Sequence, residues 1–136
     1  MPEAITGPGI PSMVPATRMI VGELLEDSPR GADVELVVSE LVTNAVLHSV
    51  SGEGGEIRVS VERKPGWVRL EVQDQGPRSA PRPLPARIQL YGGEPRESGR
   101  GLVLVGAFAD AWGHMSEPGR AVFWAEFAWV EDGADG

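Results

Sequence analysis

Between residues 16 and 130 the hydrophobic period changes several times. In Ala16–Glu26, Met19, Ile20, Leu24 and Leu25 recur three to four positions apart and predict a short amphipathic helix, with Gly22 as its weak point. A second helix is expected from Asp33, its cap, to about His48, with a wide apolar face of Val34, Leu36, Val37, Val38, Leu41, Val42, Ala45 and Val46. The period then falls to two. Ile57-Val59-Val61 and Val68-Leu70-Val72 flank Lys64-Pro65-Gly66 and predict an antiparallel hairpin. Residues 76–95 carry five prolines and three glycines, too many for a regular element, and suggest a functional loop or lid. An apolar helix over Gly101–Ala109 and a second hairpin around Glu117-Pro118-Gly119 complete the pattern. These elements predict an α/β (α+β) two-layer sandwich: a mixed, mainly antiparallel sheet covered on one face by helices. Four prolines and no periodicity mark residues 1–15 as a flexible leader, 16–130 as a single domain, and 131–136 as an acidic tail.

A chain of 136 residues, 41% of them hydrophobic, fits one domain that buries about two thirds of its unfolded surface. It contains no cysteine, which removes disulfides and thiolate zinc sites, and neither His48 nor His114 has a metal-ligand partner at helical spacing. Glu3 stands where a signal peptide would be basic, and no apolar run approaches the roughly 20 residues of a bilayer span, so a cytoplasmic protein is expected. A formal charge of -8 opposes a nucleic-acid surface. Residues 77–100 run against that balance, with Arg78, Arg82, Arg87, Arg96 and Arg100 facing only Glu94 and Glu97.

Three short segments carry candidate chemistry. In Ser39–Ser49 (SELVTNAVLHS), Glu40, Asn44 and His48 fall four apart and form one polar stripe on an apolar helix. Spacing alone fits a solvent-facing side equally well. It also fits a Mg2+ and phosphate site, because Mg2+ takes few protein oxygens and an Asn amide adds no charge beside phosphates, while a carboxylate one turn away can take a proton. Asp74-Gln75-Gly76 ends the second strand of the first hairpin, and by itself is an ordinary turn. Gly99-Arg100-Gly101-Leu102 leads into a helix, where backbone N–H groups can receive phosphate oxygens beside the Arg100 cation. A Walker phosphate loop, a Rossmann glycine fingerprint and a serine-hydrolase elbow are all lacking.

In order, an N-box helix, Asp-x-Gly, a variable loop and Gly-x-Gly opening a helix resemble the GHKL ATPase superfamily and its Bergerat fold. Within it, SELVTNAVLHS behind a short helix is similar to the bacterial anti-sigma factor serine/threonine kinases, over roughly Ala16–Val130. The resemblance implies that Asn44 ligates Mg2+, Glu40 is the catalytic base, Asp74 accepts from the adenine amino group, and Gly76 lets the base approach the backbone. It places Gly99, Arg100, Gly101 and Leu102 at the nucleotide and Arg18 on a partner-binding surface. His48 is read as packing at the helix end. The implied cofactors are ATP and Mg2+; the implied partners are a sigma factor and a STAS-type anti-sigma antagonist phosphorylated on Ser or Thr, with a homodimer usual in the class. A nucleotide-gated binding module without kinase activity and a nucleotide-free scaffold are the alternatives, separated by phosphate transfer and by ATP binding.

Overall fold

The structure, a computed structural model, describes residues 2–76 and 97–131, and of residues 97–102 the backbone alone. The elements run β1 (Glu3–Pro8), α1 (Met13–Leu24), α2 (Gly31–His48), a 3-10 turn (Val50–Glu53), β2 (Glu56–Lys64), β3 (Trp67–Asp74), α3 (Glu97–Phe108), β4 (Ala111–Glu117) and β5 (Arg120–Ala128). The strands form one open sheet in the order β1-β2-β3-β5-β4. Every described pairing is antiparallel, rather than mixed as the sequence pattern suggested. Both expected hairpins form. Lys64 pairs with Trp67 and Glu117 with Arg120, and the turn glycines Gly66 (φ 72°) and Gly119 (φ 82°) occupy the left-handed region.

One sheet face is apolar. Ile57, Val59 and Val61 of β2, Val68, Leu70 and Val72 of β3, and Phe123, Ala125 and Phe127 of β5 are buried against the helices. There α2 is central, packed between α1 and α3 and over β3. The lid segment expected over 76–95 lies, apart from Gly76, outside the described residues, as does the tail beyond Glu131.

Four local expectations change. Glu3–Pro8 belongs not to a leader but to an edge strand paired along β2 from Glu3↔Val61 to Pro8↔Glu56; Pro8 is tolerated because it closes that strand at the sheet edge. The first helix begins at Met13, not Ala16, and buries Met13, Thr17 and Val21, with Leu25 just beyond its end; Met19 is 64% exposed. Thr17 is buried because its hydroxyl bonds back to the Met13 carbonyl at 2.6 Å. Gly22 is where α1 meets α2: a Cβ there would lie 2.8 Å from the Glu35 carboxylate, the end of a flexible side chain that would have to swing aside. Asp33 is not the cap of α2; the helix starts at Gly31 and Asp33 sits in its first turn, paired with Arg30 at 2.8 Å.

Arg30 joins three remote segments. Its guanidinium donates to Asp33, to Asp110 (2.9 Å) and to the carbonyls of Ala128 (2.8 Å) and Phe108 (2.6 Å), and lies 5.3 Å from the Phe127 ring centroid. It thereby ties the start of α2 to the end of α3 and the last residue of β5. Arg30→Ala should cost about 2–3 kcal/mol in urea unfolding, because it strips two carboxylates and two carbonyls of one half-buried fork. Arg30→Lys should recover less than half of that, since a single ammonium cannot reproduce the fork.

Candidate functional site

The polar stripe lies on α2, whose opposite side is sealed by Val34, Val37, Val38, Leu41, Val42 and Ala45. Four residues rise about 6 Å along a helix, so Glu40, Asn44 and His48 stack one turn apart. Their environments differ. Glu40 is half-buried, and its carboxylate has no hydrogen bond or ion pair among the described residues. Asn44 is half-buried too, but its Oδ1 is fully enclosed and has no hydrogen-bond partner among the described residues. Such an orphan oxygen costs about 1–3 kcal/mol unless something binds it. His48 ends the helix exposed to solvent, which corrects its expected packing role.

Asp74 ends β3 on the core face at 5% exposure. Its Oδ1 accepts the Gly76 N–H at 2.8 Å. Burial pushes its carboxyl up to about 6, against the downward pull of that N–H. Gly76 is required as glycine: it holds φ 94°, and a Cβ would come within 3.2 Å of the Gly119 and Arg120 backbone nitrogens. The Gly76 carbonyl in turn accepts the Val50 N–H at 2.8 Å, which holds the Asp74 turn against the end of α2. Two of the three segments are thus brought together by the fold.

For the third segment, the helix starts earlier than expected. It begins at Glu97, so Gly99 and Gly101 lie inside its first turns rather than ahead of it. The first four N–H groups of a helix, counted from its N-cap residue, have no intrahelical acceptor, so Gly99 keeps its N–H free of the helix ladder while Arg100 and Gly101 do not. The side chains of Arg100 and Leu102 lie outside the described residues. Arg18 is exposed on α1, beside the stripe that buries Thr17 and Val21.

Sequence reasoning missed the groups that brace the Asp74 turn. Ser51 is fully buried. Its hydroxyl accepts the Gln75 N–H at 3.0 Å and donates to the Glu56 carbonyl at 2.5 Å; Gln75 Oε1 accepts the Glu56 N–H at 2.8 Å. The one available signal was Ser49-x-Ser51-Gly52 directly after the helix, a composition suited to side-chain-closed turns. A hollow of about 230 Å3 adjoins this turn, lined by Thr6, Glu56, Arg58, Gln73, Asp74 and Gln75. Thr6, Arg58 and Gln73 pair across the sheet's outer face, so this hollow runs from that face to the end of β3.

Residues 11–125 match the model of the histidine kinase-like ATPase domain. This chain belongs to that family. It is 30% identical over 105 residues to an anti-sigma F factor of Clostridium acetobutylicum, covering 74% of this chain and 73% of that protein. It is 37% identical over 92 residues to an anti-sigma F factor of Pasteuria penetrans, covering 65% and 61%. Among solved structures, the RsbU and RsbW domains of Rv1364c from Mycobacterium tuberculosis superpose with a TM-score of 0.70 at 21% identity, over 94% of this chain and 32% of that one. The SiaB-SiaC complex from Pseudomonas aeruginosa matches with a TM-score of 0.57 at 16% identity, over 93% and 89%. The family's two-layer α+β fold and GHKL-type character are therefore those of this chain, and it is an ATP-binding domain. No helix among the described residues is long and apolar enough to cross a membrane.

Proposed function

We propose that this ATP-binding domain is an anti-sigma factor of the kinase type: it binds Mg·ATP, sequesters a sigma factor, and phosphorylates a serine or threonine of a STAS-type antagonist. The observation that carries the site is the buried, partnerless Oδ1 of Asn44, one helical turn from the unpaired Glu40 carboxylate. A lone hard oxygen suits Mg2+, which draws its remaining ligands from phosphates and water. Among the described residues no cluster of three His, Asp or Glu competes for a metal. The regulatory assignment is supported by the two anti-sigma F relatives.

In this reading Asp74 receives the adenine amino group, Gly76 admits the base, and the Gly99 N–H receives a phosphate oxygen. Bound Mg2+ supplies charge neutralisation at the phosphates. Glu40 takes the proton of the attacking Ser or Thr hydroxyl as its oxygen bonds to the terminal phosphorus and the bond from that phosphorus to the bridging oxygen of ADP breaks. Arg18, exposed on α1, is assigned to the partner surface.

Asn44→Ala should remove the dependence of ATP affinity on Mg2+, a loss of about tenfold or more, while leaving the unliganded fold as stable as before because the orphan oxygen goes with the side chain. Calorimetric titration with ATP in Mg2+ and in chelator checks this. An unchanged Mg2+ dependence would remove Asn44 from the metal site.

A further inference from the structure

The Asp74 turn sits in a dense polar knot whose members come from four separate stretches of chain. Ser49 Oγ donates to the Ala45 carbonyl at 2.6 Å, inside α2 and next to Asn44, and accepts the Ser51 N–H at 3.0 Å. Ser51 Oγ holds the Gln75 N–H, and Gln75 Oε1 holds the Glu56 N–H. Gly9 donates to the Gly55 carbonyl at 3.0 Å, so the end of β1 closes the knot from the other side. There is no slack in it. A Cβ at Gly9 would lie 2.2 Å from the Ser51 carbonyl oxygen, and one at Gly55 would lie 1.9 Å from Gln75 Oε1.

We propose that Ser51 and Gln75 are positioning residues for base selection: by fixing the Asp74–Gly76 turn to the end of α2, they set how well the site tells adenine from guanine. This rests on the reading of Asp74 as the acceptor for the adenine amino group. The only hydrogen bond the Asp74 side chain accepts among the described residues is the one from Gly76, which leaves the rest of the carboxylate for a ligand donor. Adenine presents an amino donor at the position where guanine presents a carbonyl oxygen, so a fixed carboxylate attracts one base and repels the other. A turn released from Ser51 and Gln75 drifts by fractions of an ångström, which weakens the attraction and relieves the repulsion together.

The test is the ratio of GTP to ATP dissociation constants, measured by calorimetry on the full chain. Phosphate contacts, Mg2+ and any loss of folded protein affect both nucleotides alike and cancel in the ratio, which a merely structural role would leave unmoved. Gln75→Leu should lower the ratio about tenfold, the worth of one hydrogen bond to a charged group, while Gln75→Glu, which keeps an acceptor for the Glu56 N–H, should hold it within about twofold of wild type. The Gln75 side chain is exposed, so these variants fold even where Ser51→Ala does not. A Gln75→Leu protein that binds ATP with an unchanged ratio overturns the clamp and leaves the ATP site standing. Failure of wild type to bind ATP overturns both.

Discussion

Asp74→Asn should lower ATP affinity by about 100-fold while making the unliganded protein more stable at pH 8. The two effects share one cause. A carboxylate offers two acceptors, one spent on the Gly76 N–H at 2.8 Å and the other available to an amino donor. An amide offers one acceptor and one donor. With its oxygen on Gly76, the amide turns its NH2 toward the base, and two donors face each other. Without nucleotide, the variant no longer carries a buried charge. The Asp74 carboxyl titrates at about 6 in the fold against 3.8 ordinarily, because burial outweighs the Gly76 hydrogen bond. A raised carboxyl favours the folded state when protonated: that stability is fully present below about pH 4 and lost once the pH has risen past about 6. At pH 8 the charged form costs up to about 3 kcal/mol. Urea unfolding of wild type and variant at pH 4 and pH 8 should show the variant's advantage appear only at the higher pH. An advantage equal at both pH values, or none, would show that the Asp74 environment is not the apolar one described.

What could be read from the sequence followed from local rules. The two hairpins announced themselves because alternating runs were joined by Pro-Gly turns, and Glu40 and Asn44 because a four-residue repeat on one helix is visible without tertiary structure. The groups that escaped depend on contacts between distant positions. Ser51 and Gln75 are 24 residues apart, and Arg30 bonds to carbonyls 78 and 98 residues away, which no residue type signals. β1 was hidden by the prolines in and around it, since an edge strand tolerates Pro8 where a central strand would not. The first helix was given the wrong face because Thr17, polar by type, satisfies its hydroxyl within the helix and buries, leaving Met19 outside. Gly22 was counted against a helix that forms with it, where α1 faces the Glu35 side chain of α2. At α3, the two glycines drew the predicted start inward, although the helix holds them.

The second large effect belongs to Glu40. Its carboxylate has no hydrogen bond or ion pair among the described residues, so removing it leaves nothing buried and unsatisfied. Glu40→Ala should therefore fold and bind ATP within about twofold of wild type, since a surface truncation away from a packed core changes stability little. Phosphoryl transfer should nevertheless fall about 100- to 10,000-fold, the usual worth of a positioned general base. Loss of transfer with retained binding would separate the proton acceptor from the nucleotide cradle; transfer at the full rate would mean that Glu40 has no part in chemistry.

The most direct measurement is transfer of phosphate from terminally labelled ATP to protein in an extract of the source organism, with wild type and Glu40→Ala side by side. A small labelled protein with wild type alone is the predicted result, and its phosphate should sit on serine or threonine. Saturable ATP binding by wild type with no protein labelled would contradict the kinase and leave a nucleotide-gated binding module in its place.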